Sequence, residues 1–68
     1  SLYMYTREMK GQRLLVICSF AERPLTVTPP KGYDLAQGKL VLQNYPVDDP
    51  ARPFRTRSYE TRVYLFEA

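Results

Sequence analysis

Apolar and polar positions alternate with a period of two through most of this chain, the pattern of strands rather than helices. Leu2 to Arg7 reads as a strand with Leu2 and Met4 on one face and Tyr3 and Tyr5 on the other. A turn follows at Met9 to Gln12, where Gly11 supplies a positive φ. Arg13 to Phe20 is the strongest segment. Leu14, Val16, Cys18 and Phe20 alternate with Leu15, Ile17 and Ser19, so both faces are apolar, as expected of a central strand covered on two sides. Leu25 to Thr28 alternates apolar against hydroxyl, is predicted to form a hairpin with the preceding strand, and ends at Pro29-Pro30. Residues 31 to 38 read as a loop. Lys39 to Asn44 is a strand with Leu40 and Leu42 opposite Val41. Val47 to Pro53 is rich in turn formers, Phe54 to Arg57 extends briefly, and Tyr59 to Phe66 closes the pattern.

Short strands at this spacing, with no capped helix and no repeat, predict an all-β fold, a small antiparallel Greek-key-like β-sandwich. With 68 residues the chain is one domain. A domain of this size buries only about 60% of its unfolded surface, so its stability is marginal. The usual reinforcements are missing: there is one cysteine and no histidine, so neither an internal disulfide nor a zinc site can form. An unpaired Cys18 inside an apolar run fits a reducing compartment, and a cytoplasmic location is expected. No segment approaches the roughly 18 apolar residues of a membrane span, and no membrane association is expected. The chain opens on Ser1 rather than methionine, as an excised segment would.

Candidate chemistry is sparse. Without histidine, Ser-His-Asp and Cys-His arrangements are excluded, and Cys18 reads as a core residue whose thiol burial keeps unreactive. Asp48-Asp49 lies in a proline-containing loop and reads as turn and solvation residues rather than an acid/base pair. The three glycines are isolated and build no phosphate loop. No catalytic residue, metal ligand or cofactor is expected. Net charge is +3, but acids are interspersed with the bases, which reads as a solvated surface. A nucleic-acid-binding barrel would need Arg52, Arg55, Arg57 and Arg62 on one face. A carbohydrate-binding module would need exposed tyrosines, with Tyr3 and Tyr5 sharing a face and Tyr64 beside them. What stands out instead is an excess of apolar surface on the two strongest strands. One face must pack internally, leaving some of Tyr3, Tyr5, Leu15, Ile17, Tyr64 and Phe66 as a docking surface for another body.

Four blocks, in order, carry a family resemblance: Tyr3-Met4-Tyr5-Thr6-Arg7-Glu8, Leu14 to Phe20, Leu40 to Tyr45, and Tyr59-Glu60-Thr61-Arg62-Val63-Tyr64. Together they resemble the C-terminal β-sandwich domain of bacterial α-glucosidases of the α-amylase family, glycoside hydrolase family 13. Oligo-1,6-glucosidases, dextran glucosidases, trehalose-6-phosphate hydrolases and sucrose isomerases are its members of this type. Ser19 departs from the family's usual asparagine, Ser58 from its proline, and Val47 to Arg57 matches poorly. The resemblance implies that the catalytic carboxylates lie on a (β/α)8 barrel outside these residues. It also implies that the barrel of the same polypeptide is this domain's partner, and that the domain caps and stabilises it.

Overall fold

The computed structural model describes residues 1–67. Four antiparallel strands form a single sheet: β1 (Leu2–Met9), β2 (Gln12–Ser19), β3 (Lys39–Gln43) and β4 (Thr61–Glu67), in the spatial order β1-β2-β4-β3. The all-β antiparallel expectation therefore holds. The last strand is inserted between two earlier ones, so the C-terminal segment closes the sheet.

β1 and β2 pair in full register from Leu2 with Ser19 to Met9 with Gln12, joined by the two-residue turn Lys10-Gly11. Gly11 sits at φ +70°, as the turn requires. β4 then pairs with β2, setting Val16 opposite Val63 and Leu15 opposite Tyr64. On β3 the pairing shifts between Leu40 and Leu42: Leu40 opposes Tyr64, while Leu42 opposes the adjacent Val63. Val41 is the extra residue of a β-bulge, so Leu40 and Leu42 fall on opposite faces of the sheet. The alternation alone places them together, because an uninterrupted strand has a strict period of two. The bulge also re-aims this edge, a common way of blunting it.

The predicted hairpin between β2 and Leu25 to Thr28 does not form. That segment instead meets the other brief extension, with Thr26 bridged to Arg55. Val27 N–H donates to the Phe54 carbonyl (3.1 Å) and Thr56 N–H to the Leu25 carbonyl (2.9 Å). The Thr56 hydroxyl accepts from Leu25 N–H at 3.0 Å. Pro24 and the Pro29-Pro30 pair limit this ladder, since proline offers no N–H. The short ladder and a 3-10 turn at Leu35–Gln37 make up the layer opposite the sheet. The turn is capped by Asp34, whose carboxylate accepts from Ala36 N–H.

The core lies between these layers. It contains Leu15, Ile17, Tyr64 and Phe66 from the inner sheet face, with Val27 and Leu35 from the covering segments. Leu2, Met4, Tyr33, Leu40 and Phe54 pack at its margin. At one end the Phe66 ring meets Tyr33 edge-on, with centroids 5.3 Å apart. The Arg13 guanidinium lies 4.8 Å above the Tyr33 ring centroid and donates to the Gly32 carbonyl at 3.1 Å.

Gly38 is required here by close approach rather than by backbone angle. A Cβ at this position would sit 2.7 Å from Cζ of Phe66, whose ring also packs edge-on against Tyr33. Gly38→Ala is expected to destabilise the chain by about 1–3 kcal/mol through overpacking, read as a lower urea midpoint with an unchanged slope.

Candidate docking surface

Two faces of the sheet have opposite fates. On the inner face, Glu60, Arg62, Tyr64 and Phe66 are buried in sequence, although the first two carry charge. Their burial is tolerable because the fully buried polar atoms find partners. Arg62 Nε donates to Glu60 Oε2 at 3.0 Å, and Arg62 Nη1 donates to the Tyr64 hydroxyl at 2.9 Å. That hydroxyl in turn donates to the Pro50 carbonyl at 2.9 Å. The Arg62 guanidinium also lies 3.5 Å from the Phe54 ring centroid. Arg57 completes the set: its backbone N–H donates to Glu60 Oε1 and its Nη2 to Glu60 Oε2, both at 2.9 Å. Arg57 Nη2 also reaches the Pro46 carbonyl at 2.8 Å. Among the described residues no buried side-chain nitrogen or oxygen lacks a partner.

Burial pushes the Glu60 carboxyl up, but the hydrogen bonds from Arg57 and Arg62 outweigh it and hold the group below its ordinary value. The network ties the long connection between β3 and β4 onto the sheet. Asn44 reinforces the tie: its side chain accepts from Thr61 N–H at 2.8 Å and donates to the Tyr59 carbonyl at 2.9 Å. The role of the network is structural.

On the outer face nothing among the described residues covers the sheet. The register builds its rows directly. Tyr5, Val16, Val63 and Leu42 run straight across all four strands. Tyr3, Cys18 and Thr61 lie on one side of that row, and Arg7, Leu14, Leu65 and Lys39 on the other. Leu42 is 60% exposed, Tyr3 59% and Tyr5 53%, while Val16, Val63, Leu14 and Leu65 are half-buried by their neighbours alone. Phe20 extends the apolar surface at the aromatic end, meeting Tyr3 edge-on with centroids 5.2 Å apart. Arg7 and Lys39 mark the opposite end. The result is an apolar band across a whole sheet face, bordered by charge, with the character of an interface.

The six residues expected to dock do not share a face. Tyr3 and Tyr5 lie on the open one. Leu15, Ile17, Tyr64 and Phe66 are buried in the core, at 2% exposure or less, and are withdrawn as docking residues. Their alternation partners Leu14, Val16, Val63 and Leu65 lie on the open face instead, joined there by Leu42 through the bulge. The signal was present but ambiguous, because β2 is apolar on both faces. In β4 it pointed the wrong way: a face bearing Glu60 and Arg62 reads as outward until the two are seen to neutralise each other.

The same network separates the arginines. Arg62 is buried, Arg57 is engaged with Glu60, and Arg52 lies 4.0 Å from Asp49. With Arg62 buried, the four arginines do not share one exposed face. Tyr64 is inside, so it cannot extend a tyrosine platform from Tyr3 and Tyr5. Asp49 accepts from Ala51 N–H in its own turn, as expected of a loop residue. Cys18 is free and lies half-buried on the outer face rather than in the core, because its parity matches Val16 and not Ile17.

No protein-family model matches the chain. It is similar, over nearly its whole length, to a small segment of oligo-1,6-glucosidases. It is 38% identical over 66 residues to a probable oligo-1,6-glucosidase of Bacillus subtilis, covering 97% of this chain and 12% of that protein. An oligo-1,6-glucosidase of Halalkalibacterium halodurans is also 38% identical, over 94% of this chain and 12% of its own length. One from Parageobacillus thermoglucosidasius is 32% identical over 93% of this chain, again 12% of its own. The resemblance carried by the four sequence blocks is thereby shown. The chain spans about an eighth of the length of the curated relatives it matches.

Proposed function

We propose that this chain is the non-catalytic C-terminal domain of an α-glucosidase, and that it caps and stabilises the enzyme's catalytic (β/α)8 barrel. The parent would hydrolyse α-glucosidic bonds in short oligosaccharides with retention, using carboxylates on the barrel; with Cys18 free, it would work in the cytoplasm. The observation that carries the reading is the pairing of two facts. The chain matches about 12% of each oligo-1,6-glucosidase. It also presents a sheet face that is apolar across all four strands, for which a much larger companion is the natural cover. No carbohydrate contact is required of it, and its part is to hold the barrel rather than to touch substrate.

Val63 stands at the centre of that face, opposite both Val16 and Leu42. In the full-length enzyme, Val63→Glu would place an unpaired carboxylate in a dry interface, which is strongly unfavourable. The expected result is a melting temperature lower by several degrees with KM for an isomaltose-type substrate unchanged. Val63→Ile should leave both unchanged. A Val63→Glu enzyme that kept its melting temperature but lost substrate affinity would overturn docking in favour of sugar binding at this face.

A further inference from the structure

On the docking reading above, we infer that Tyr59 is an anchor of the interface, its ring held against the catalytic body by a left-handed backbone conformation that is uncommon for tyrosine. Tyr59 has φ +54°, and among the described residues no other non-glycine has a positive φ. It is the third residue of the turn Arg57 to Glu60, closed by the Glu60 N–H donating to the Arg57 carbonyl at 3.1 Å. Glycine or asparagine is the ordinary occupant of such a position, because a Cβ crowds the backbone there. The strain is locked in by the neighbours: Tyr59 N–H donates to the Ala21 carbonyl at 3.2 Å, and the Tyr59 carbonyl accepts from Asn44.

Within the chain the ring does not offset this strain. It is 53% exposed and takes part in no aromatic pair or cation contact among the described residues. Its place in the fold says where the compensation lies. Ser19 N–H donates to the Glu60 carbonyl, which carries the β2–β4 pairing one step past Cys18 and Thr61. Tyr59 N–H then reaches the Ala21 carbonyl, one residue past Phe20, so the turn lies at the Phe20 end of the sheet. A strained, exposed tyrosine on the rim of an uncovered apolar sheet has the features of a rigid interface anchor. The remaining seven-eighths of a relative-sized polypeptide supplies the body it would meet.

The test uses the full-length enzyme. Hydroxyl-radical footprinting is expected to find Tyr59 protected together with Tyr5 and Leu42. Tyr59→Asn, which relieves the backbone and removes the ring, is expected to lower the melting temperature, and Tyr59→Phe to leave it unchanged. If Tyr59 is labelled freely and Tyr59→Asn melts higher while Tyr5 and Leu42 stay protected, the anchor is wrong and the docked face stands. If all three residues are labelled freely, the docking reading fails and takes the anchor with it.

Discussion

Glu60→Gln is expected to destabilise the chain by about 3–5 kcal/mol, because it leaves the Arg62 guanidinium buried without its counter-charge. A domain of this size holds on the order of 3–10 kcal/mol in total, at roughly 0.05–0.15 kcal/mol per residue. One uncharged amide in place of a carboxylate should therefore remove much of what keeps the chain folded. The effect is large because Glu60 is 1% exposed and both its oxygens accept charge-assisted hydrogen bonds. Removing Arg62 as well, in the double variant with Arg62→Met, should recover part of the loss, since an apolar side chain of similar volume has no charge to strand. Urea unfolding of the variants checks this. A Glu60→Gln midpoint equal to that of the parent sequence would show that the pair does not hold the core.

The same carboxylate sets an acid limit. Its pKa in the folded chain lies below the ordinary 4.5. The stability it contributes is therefore complete above pH 4.5 and drains away as the pH falls through the lower, folded value. Glu60→Gln, which has no proton to take up there, should show a flatter stability profile below pH 4.5 than the parent sequence. Equal slopes would assign acid unfolding to other carboxylates.

Phe66→Ala is expected to cost about 3–5 kcal/mol, the range for truncating a buried aromatic ring. Phe66 is 2% exposed and fills the end of the core between Tyr33, the Arg13 guanidinium and Gly38. Its loss empties a site that Gly38 cannot fill and releases Arg13, which lies 5.6 Å from the ring centroid. The variant separates core from interface. Phe66→Ala should weaken the chain whether or not a partner is attached, whereas Val63→Glu should act chiefly in the full-length enzyme. If Phe66→Ala lowered the urea midpoint no more than an exposed change such as Met9→Ala, the assignment of the inner face would be wrong.

Much of the fold was legible in the order of residues. Three hydrophobic alternations coincide with β1, β2 and β3 to within two residues, and Gly11 marks the turn between the first two. The closing strand was found as well, although its first two residues, Tyr59 and Glu60, belong to the turn and not to β4. Local periodicity reports these features because it depends only on neighbours in the chain. The pairing of Leu25 to Val27 with Phe54 to Thr56 was not legible, since two short segments about thirty residues apart carry no mark of each other. The bulge at Val41 was equally silent, and it alone sends Leu42 outward.

By itself the sequence determined that the chain is built of strands, that it lacks the residues for histidine- or disulfide-based chemistry, and that it holds more apolar surface than one small core can use. The four blocks also determined which proteins it resembles. Only the tertiary structure decided which face is core and which is open. On β2 both faces are apolar, so pattern offers no choice between them. On β4 the choice goes to the face that carries Glu60 and Arg62, because in three dimensions the pair cancels its own charge and no fully buried polar atom among the described residues is left without a partner. Once that face is buried, parity leaves Val16, Val63 and Leu65 outside, and the bulge brings Leu42 to join them.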